Sequence, residues 1–374
     1  MAQATIGIDC RLGGVRHGGI GRYIAEYVRR VVAATAFSYS LVFYDEQQRT
    51  ELLEPLSATT TARLRTTIVP IRHYSLDEQL KLPTILNRLE LDVLHVPHFN
   101  VPIGYRRPFV VTIHDLLWHA KRGTTVTTLP RWQYWPKYGA YRIASADAIR
   151  RTKRIFVPTE FVASTISQQF PSAKSKTVVT YEGVATNFKP NSKQRRRSKQ
   201  LLYVGSLYPH KNVGVVLDAL EQLPEHQLVI VGARDVFSQT FQNLVKEKGM
   251  TDRVIFKGKV SDAELVELYQ TTSCVTQPST SEGFGLTGVE ALSCGTPLLA
   301  SDIPVFHEVY GQAAIFFDPS DAADLVKAIQ RIDNAEYVFP TKTVKQTLKR
   351  YSWDTMTQTM LSEIKEVLAQ KNQS

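Results

Sequence analysis

Ser279-Thr280-Ser281-Glu282-Gly283-Phe284-Gly285-Leu286-Thr287-Gly288-Val289-Glu290-Ala291-Leu292-Ser293-Cys294-Gly295-Thr296-Pro297 is the stretch on which the reading of this chain turns. The apolar run over 273–277 reads as a short buried strand, and residues 286–294 read as a helix that Gly295 and Pro297 stop. The order is therefore strand, glycine-rich loop, helix start. Gly283 and Gly285 put no Cβ between a ligand and the main chain. The amides near Gly285, Leu286 and Thr287 then point outward at the positive end of the helix dipole, a seat for phosphate. Glu282 stands ahead of that seat, and Glu290 lies about one turn inside the helix. Ionised carboxylates accept hydrogen bonds from paired hydroxyls, so the two acids suit a polyhydroxylated ligand that also carries phosphate.

The same residues spell G-x-G-x-x-G through Gly283, Gly285 and Gly288, with Asp302 nineteen positions after the first glycine. Formally that is the dinucleotide fingerprint. It fits poorly here, because the motif lies late in the chain and Glu282 would set negative charge beside a pyrophosphate. A tight turn with two solvated glutamates is the bland alternative. Residues 282–290, Glu-Gly-Phe-Gly-Leu-Thr-Gly-Val-Glu, resemble the E-x7-E signature of the retaining glycosyltransferases of family 4, which have the GT-B fold. The resemblance implies that Glu282 meets hydroxyls of a donor sugar and Glu290 the nucleotide ribose. It also implies that the backbone of Phe284, Gly285, Leu286 and Thr287 holds the diphosphate.

Composition agrees with a protein of two domains. The chain has 374 residues, 43% apolar, enough for a substantial core. A net charge of +10 and a pI near 9.4 call for an acidic partner: a phosphorylated small molecule, an anionic membrane face or nucleic acid. Cys10, Cys274 and Cys294 are odd in number and lack C-x-x-C spacing, so they read as reduced core cysteines of a cytosolic protein. The first residues have no basic-then-apolar signal pattern, and no run approaches the roughly 18 apolar residues of a spanning helix. A soluble protein, cytoplasmic or peripheral at the inner membrane face, is expected.

Along the first half, short apolar strands are expected at 5–9, 40–44, 66–69, 93–96, 109–113, 155–158 and 178–181, with helical stretches between them. After the first strand comes a loop holding Arg16, Gly18, Gly19 and Gly21, and a helix over about 21–34. A glycine cluster more often serves a turn. In the family such a Gly-Gly-Ile-Gly loop faces donor phosphate and acceptor, so Gly18 and Gly19 are candidate donor contacts and Arg16 a candidate acceptor-side residue. His95 and His98 flank a proline, which makes a helical metal site unfavourable and leaves core or cleft lining. His114 and Asp115 end the fifth strand, where parallel sheets present ligand-binding residues. The family resemblance places such a His near the reacting sugar carbon; Asp115 is assigned to loop orientation or the acceptor. Residues 131–151 read as a helix rich in aromatics and cations, interrupted at Pro136. It suits either core packing or contact with a membrane interface or lipid-linked acceptor.

Residues 189–200, Lys-Pro-Asn-Ser-Lys-Gln-Arg-Arg-Arg-Ser-Lys-Gln, lack periodicity and read as the linker to a second domain. Without interleaved aromatics, this run makes a nucleic-acid partner a poor fit. The second domain opens with a strand at 200–204, then Gly205, Ser206 and Lys211 ahead of a helix. The resemblance puts a Lys like Lys211 on the donor diphosphate and an Arg after the glycine, where this chain has Ser206. Further strands are expected at 228–232, 253–257, 298–300 and 314–317.

The expected architecture is two Rossmann-like, doubly wound parallel-sheet domains of GT-B type with a cleft between them. The N-terminal domain, 1–186, takes the acceptor side, and the C-terminal one, 187–351, binds the donor. A closing helix, 352–374, returns to the first. The implied activity is retaining transfer of a hexose from a nucleotide-diphosphate sugar to a glycan or lipid-linked acceptor. The donor with the nearest resemblance is GDP-mannose. The chain has no Asp-x-Asp, and the family needs neither a metal at that spot nor a cofactor. Catalytic roles fall on Glu282, His114 and Lys211. Donor binding falls on Glu290, Gly205, Ser206, Phe284, Gly285, Leu286, Thr287, Gly18 and Gly19. Other classes share some of these features: a nucleotide-sugar hydrolase or epimerase, a dinucleotide oxidoreductase, and a non-catalytic polyanion binder using 193–199.

Overall fold

Two parallel sheets organise the chain, each in its own compact unit. The computed structural model describes residues 3–116, 131–191, 196–232 and 236–371. Of these, 3–116, 131–182 and 352–371 belong to the first unit, and 183–191, 196–232 and 236–351 to the second.

The first sheet contains β1 (Thr5–Asp9), β2 (Ser38–Phe43), β3 (Arg65–Ile68), β4 (Val93–Val96), β5 (Phe109–Thr112), β6 (Ile155–Val157) and β7 (Thr177–Val179). Their order is β3-β2-β1-β4-β5-β6-β7, parallel throughout. The second contains β8 (Gln200–Gly205), β9 (Gln227–Gly232), β10 (Val254–Gly258), β11 (Cys274–Gln277), β12 (Leu298–Ser301) and β13 (Ile315–Phe317), ordered β10-β9-β8-β11-β12-β13 and also parallel.

The burial of these strands follows from that topology. Crossover helices cover both faces of a parallel sheet, so its inner strands are apolar on both sides. Every residue of β4, β5, β11 and β12 is buried. Edge strands carry the polar residues: Arg65 and Thr66 of β3 are exposed, and β10 alternates toward Lys257.

The sequence places most boundaries within two residues. Strand β2 starts at Ser38, two residues early, because Ser38 and Tyr39 pair with Thr5 and Ile6. The helix expected over 21–34 is Gly18–Val31. It starts early because the turn before it closes on the helix: the Gly14 N–H donates to the Gly21 carbonyl at 3.1 Å. A Cβ on Gly21 would stand 1.9 Å from the Gly14 carbonyl oxygen. Gly21 therefore serves packing. Pro136 does not break its helix, which runs Arg131–Arg151. The carbonyl that Pro136 leaves unpaired belongs to Trp132, a residue 75% exposed. On this helix Tyr134, Tyr138 and Tyr141 face inward, whereas Trp132, Trp135 and Ile143 face solvent.

Helix Trp353–Lys371 packs on Gly18–Val31 in the first unit. Buried Trp353 lies edge-on to Tyr23, Arg30 binds Asp354 at 2.8 Å, and Arg154 binds Glu363 at 2.6 Å. All three cysteines are free and buried, and burial pushes the Cys274 and Cys294 thiols up to about 12. Among the described residues no helix is long and apolar enough to cross a membrane. Of the basic run at 189–200, residues 192–195 lie outside the described residues. Beyond them Arg196 donates to the Thr272 carbonyl at 3.0 Å and Lys199 pairs with Glu225.

Candidate functional site

Each strand order reverses once, between β1 and β4 and between β8 and β11. In open parallel sheets the crevice beyond the carboxyl ends at that reversal is where ligands bind.

In the second unit the loops after β8 and β11 meet there. The Thr280 N–H donates to the His210 carbonyl at 2.8 Å and ties the loops together. Lys211 ends the short 3-10 turn Pro209–Lys211, and its Nζ reaches Glu282 Oε1 at 2.6 Å. Ser279 Oγ donates to the same oxygen at 2.9 Å. Both side chains are mostly but not fully buried, at 20% and 16% exposure, so the pair can open to an incoming anion. Asn212 follows in the left-handed region, φ 54°, with its Nδ2 on the Pro319 carbonyl at 2.7 Å.

The helix after the loop is Leu286–Ser293, with Gly285 as its N-cap at φ 99°. No side chain caps it, so the Leu286 and Thr287 amides are available to a ligand, whereas the Gly288 N–H is taken by the Gly285 carbonyl. Phe284 is buried edge-on against Tyr351, so it offers main chain and no ring to the site. Glu290 is 2% exposed, with Oε2 accepting from Tyr269 at 3.0 Å. Gly205 and Ser206 follow from the end of β8, and the Ser206 carbonyl accepts from Tyr203. Lys211 and Glu282 thus meet in one unit at one switch point, the Gly285–Thr287 main chain opens the helix that follows, and Glu290 lies buried within that helix on Tyr269.

The first unit has its own polar site at β1 and β4. Arg11, just past β1, has a fully buried side chain and donates to both oxygens of Asp9, at 2.9 and 2.7 Å. It also reaches Glu78 Oε1 at 3.0 Å. Glu78 in turn accepts from the Tyr74 N–H at 2.7 Å and from Asn100 Nδ2. Asp9, His73, His98 and Asn100 line a small cavity with Leu12, Val96 and Pro97. His73 Nε2 there is buried without a hydrogen-bond partner.

Burial alone would raise the Asp9 carboxyl, but Arg11 outweighs it and holds the group below its ordinary 3.8. A depressed carboxyl stabilises the fold fully above that ordinary value, and the contribution is lost as pH falls through the lower folded one. The first unit should therefore lose stability below about pH 4. Arg11→Met should cost about 3–5 kcal/mol at neutral pH, because it leaves two carboxylates buried without their cation. Urea unfolding followed by circular dichroism would check both.

His114 stands beyond β5. Its Nδ1 lies 3.4 Å from Glu182 Oε1 and its Nε2 3.3 Å from the Pro97 carbonyl, with Tyr23 edge-on. Asp115 is exposed at the same strand end. Gly18 and Gly19 open the first helix with clear space where a Cβ would stand. Arg16 is about half exposed and binds Asp45 at 2.8 Å. The two early histidines separate: His95 is core, paired with Thr112 at 2.9 Å and held near 3 by burial, while His98 meets Tyr74 at 3.0 Å. Among the described residues no group of three or more His, Cys, Asp or Glu is arranged to hold a metal ion.

Sequence reasoning missed Arg11, Glu78, Asn100, Glu182, Tyr269 and Tyr310. The contacts that set them in place, such as Arg11 on Glu78, Glu78 on Asn100 and Tyr310 on Gly285, span distant parts of the chain, and their residue types are ordinary ones.

Residues 17–188 match the family model "Glycosyltransferase Family 4", and residues 185–347 match "Glycosyl transferases group 1". The chain is a GT-B-fold glycosyltransferase. It is 26% identical over 307 residues to O-antigen chain mannosyltransferase RfbU of Salmonella typhimurium, covering 81% of this chain and 80% of that protein. It is likewise 26% identical over 369 residues to O-antigen chain mannosyltransferase B of Escherichia coli, covering 91% and 93%. Among solved structures, sucrose-phosphate synthase from Thermosynechococcus elongatus matches this glycosyltransferase with a TM-score of 0.76 at 18% identity, covering 98% and 99% of the two chains. HepE of Anabaena, solved with UDP and glucose, matches with a TM-score of 0.74 at 18% identity, covering 97% and 100%.

Proposed function

We propose that this glycosyltransferase moves a sugar from a nucleotide-diphosphate sugar to a hydroxyl of a glycan or lipid-linked acceptor, with retention and without a divalent ion. The carrying observation is the Lys211–Glu282 contact beside the Gly285–Thr287 amides, which sets a cation, a dipole-charged main chain and a carboxylate around one point. As the bond from the anomeric carbon to the leaving phosphate breaks, charge grows on the diphosphate, and Lys211 with the amides stabilises it. Glu282 accepts from sugar hydroxyls, and Glu290 takes the ribose. The new bond forms on the face the phosphate leaves, and the acceptor's proton passes to a leaving phosphate oxygen. His114 keeps the role toward the reacting sugar that the family resemblance gives it, and the polar cavity at β1 and β4 is the seat proposed for acceptor hydroxyls.

Two mannosyltransferases of O-antigen chains among the relatives support mannose as the sugar and a surface polysaccharide as product; GDP-mannose is the donor we propose for it. Exposed Trp132 and Trp135 beside Arg131, Lys137 and Arg142 support peripheral contact with an anionic membrane. The test is incubation with a panel of nucleotide sugars and a polysaccharide-repeat acceptor, reading the product's anomeric configuration by proton NMR, with and without chelator. Retained configuration from GDP-mannose at an unchanged rate in chelator is expected. Inversion, a chelator-sensitive rate, or release of free sugar at the same rate without acceptor contradicts the proposal.

A further inference from the structure

Tyr310 ends helix Pro304–Tyr310 and is fully buried beneath the loop that precedes helix Leu286–Ser293. Its hydroxyl has one proton to give, shared between two acceptors, the Gly285 carbonyl at 2.6 Å and Gln277 Oε1. The Gly285 carbonyl also accepts from the Gly288 N–H at 3.0 Å, so both its lone pairs are engaged. In a trans peptide the N–H points opposite to the C=O. Holding the Gly285 carbonyl inward on a buried phenol therefore turns the Leu286 N–H outward. Two donors on that carbonyl also polarise the peptide and strengthen its N–H as a donor. Burial raises the Tyr310 hydroxyl well above its ordinary value, which keeps the proton it donates.

Gln277, the last residue of β11, extends the chain of contacts: its Nε2 donates to Thr287 Oγ1 at 3.3 Å. A threonine hydroxyl that accepts in this way still has its own proton to give. The glycines make room for the arrangement. A Cβ on Gly285 would stand 2.1 Å from the Tyr310 hydroxyl, and one on Gly288 would stand 2.4 Å from it. The third glycine of the G-x-G-x-x-G pattern thus belongs to Tyr310 and not to a ligand.

We propose that Tyr310 is a positioning residue for sugar transfer: its hydroxyl aims the Leu286 amide at a donor phosphate oxygen, while Gln277 turns the Thr287 hydroxyl to the same oxygen as an added donor. The inference rests on the reading that this loop receives the diphosphate. Tyr310→Phe removes one oxygen from a buried ring and keeps its volume. Ligand-observed NMR titration would compare guanosine with GDP on both proteins, with uridine and UDP, and adenosine and ADP, as parallel arms.

Wild type should bind a diphosphate more tightly than its nucleoside. Tyr310→Phe should lose about tenfold in diphosphate affinity with nucleoside affinity unchanged, and Gln277→Met should show the same selective loss. If wild type shows no preference for any diphosphate, the phosphate seat itself is wrong. If wild type shows the preference and Tyr310→Phe keeps it, or loses nucleoside and diphosphate affinity equally, the seat stands and the role of Tyr310 is overturned.

Discussion

Glu282→Ala should slow sugar transfer by about 10²–10³-fold while free nucleoside diphosphate binds as tightly as before, or more tightly. Two consequences of the contact at the second switch point combine here. Glu282 Oε1 receives both Lys211 and Ser279, so the carboxylate is held in place before any sugar arrives. In the proposed mechanism, losing it removes the acceptor for sugar hydroxyls and the order it would impose on the reacting ring. Lys211 meanwhile loses its resident counter-charge and becomes fully available to phosphate. The variant should thus separate transfer from binding, read as initial rates against isothermal titration with GDP. Near wild-type transfer, or binding lost in step with transfer, would sink the role given to Glu282.

Lys211→Met should slow transfer by a similar 10²–10³-fold, but with the opposite sign in binding. The cation proposed to meet the diphosphate is gone, and Glu282 is left without its ion-pair partner at that point. Diphosphate affinity should fall, and its dependence on salt should flatten, because one ion pair with phosphate no longer forms. The double variant Glu282→Ala/Lys211→Met should bind diphosphate better than Lys211→Met alone, since the repulsive partner is also removed. Titrations at two ionic strengths check both signs. Equal loss of affinity in both single variants would contradict an antagonistic pair.

How much of this was legible in sequence depended on whether a residue's reason is local. Residues 93–96 and 109–112 are strands that any apolar-run reading finds, because a strand covered on both faces needs no polar residue. Thr159 and Ser261 announce their helices, since each caps an amide three residues on. Glu282 and Lys211 were legible one at a time, through the resemblance. Their contact was not, because 71 residues separate them and only the reversal of strand order brings the loops after β8 and β11 together.

Arg11 and Glu78 show the same limit. A buried arginine looks in sequence like any surface cation until the sheet closes around it. Tyr310 gave no sign at all, since a tyrosine before a glycine at a helix end is ordinary. Gly288 carried a trace of it, but the fingerprint pattern drew attention to a ligand where the cause was a side chain. The helix over 131–151 was legible despite Pro136: the carbonyl that the proline leaves unpaired belongs to an exposed residue, Trp132, where water can reach it.

The most direct test of the account is a crystal structure of the protein with GDP bound. Phosphate oxygens should lie within hydrogen-bond distance of the Leu286 and Thr287 amides and of Lys211 Nζ, with the ribose on Glu290 and Lys211 drawn off Glu282. A diphosphate lodged elsewhere, with the 2.6 Å Lys211–Glu282 contact intact, would contradict it.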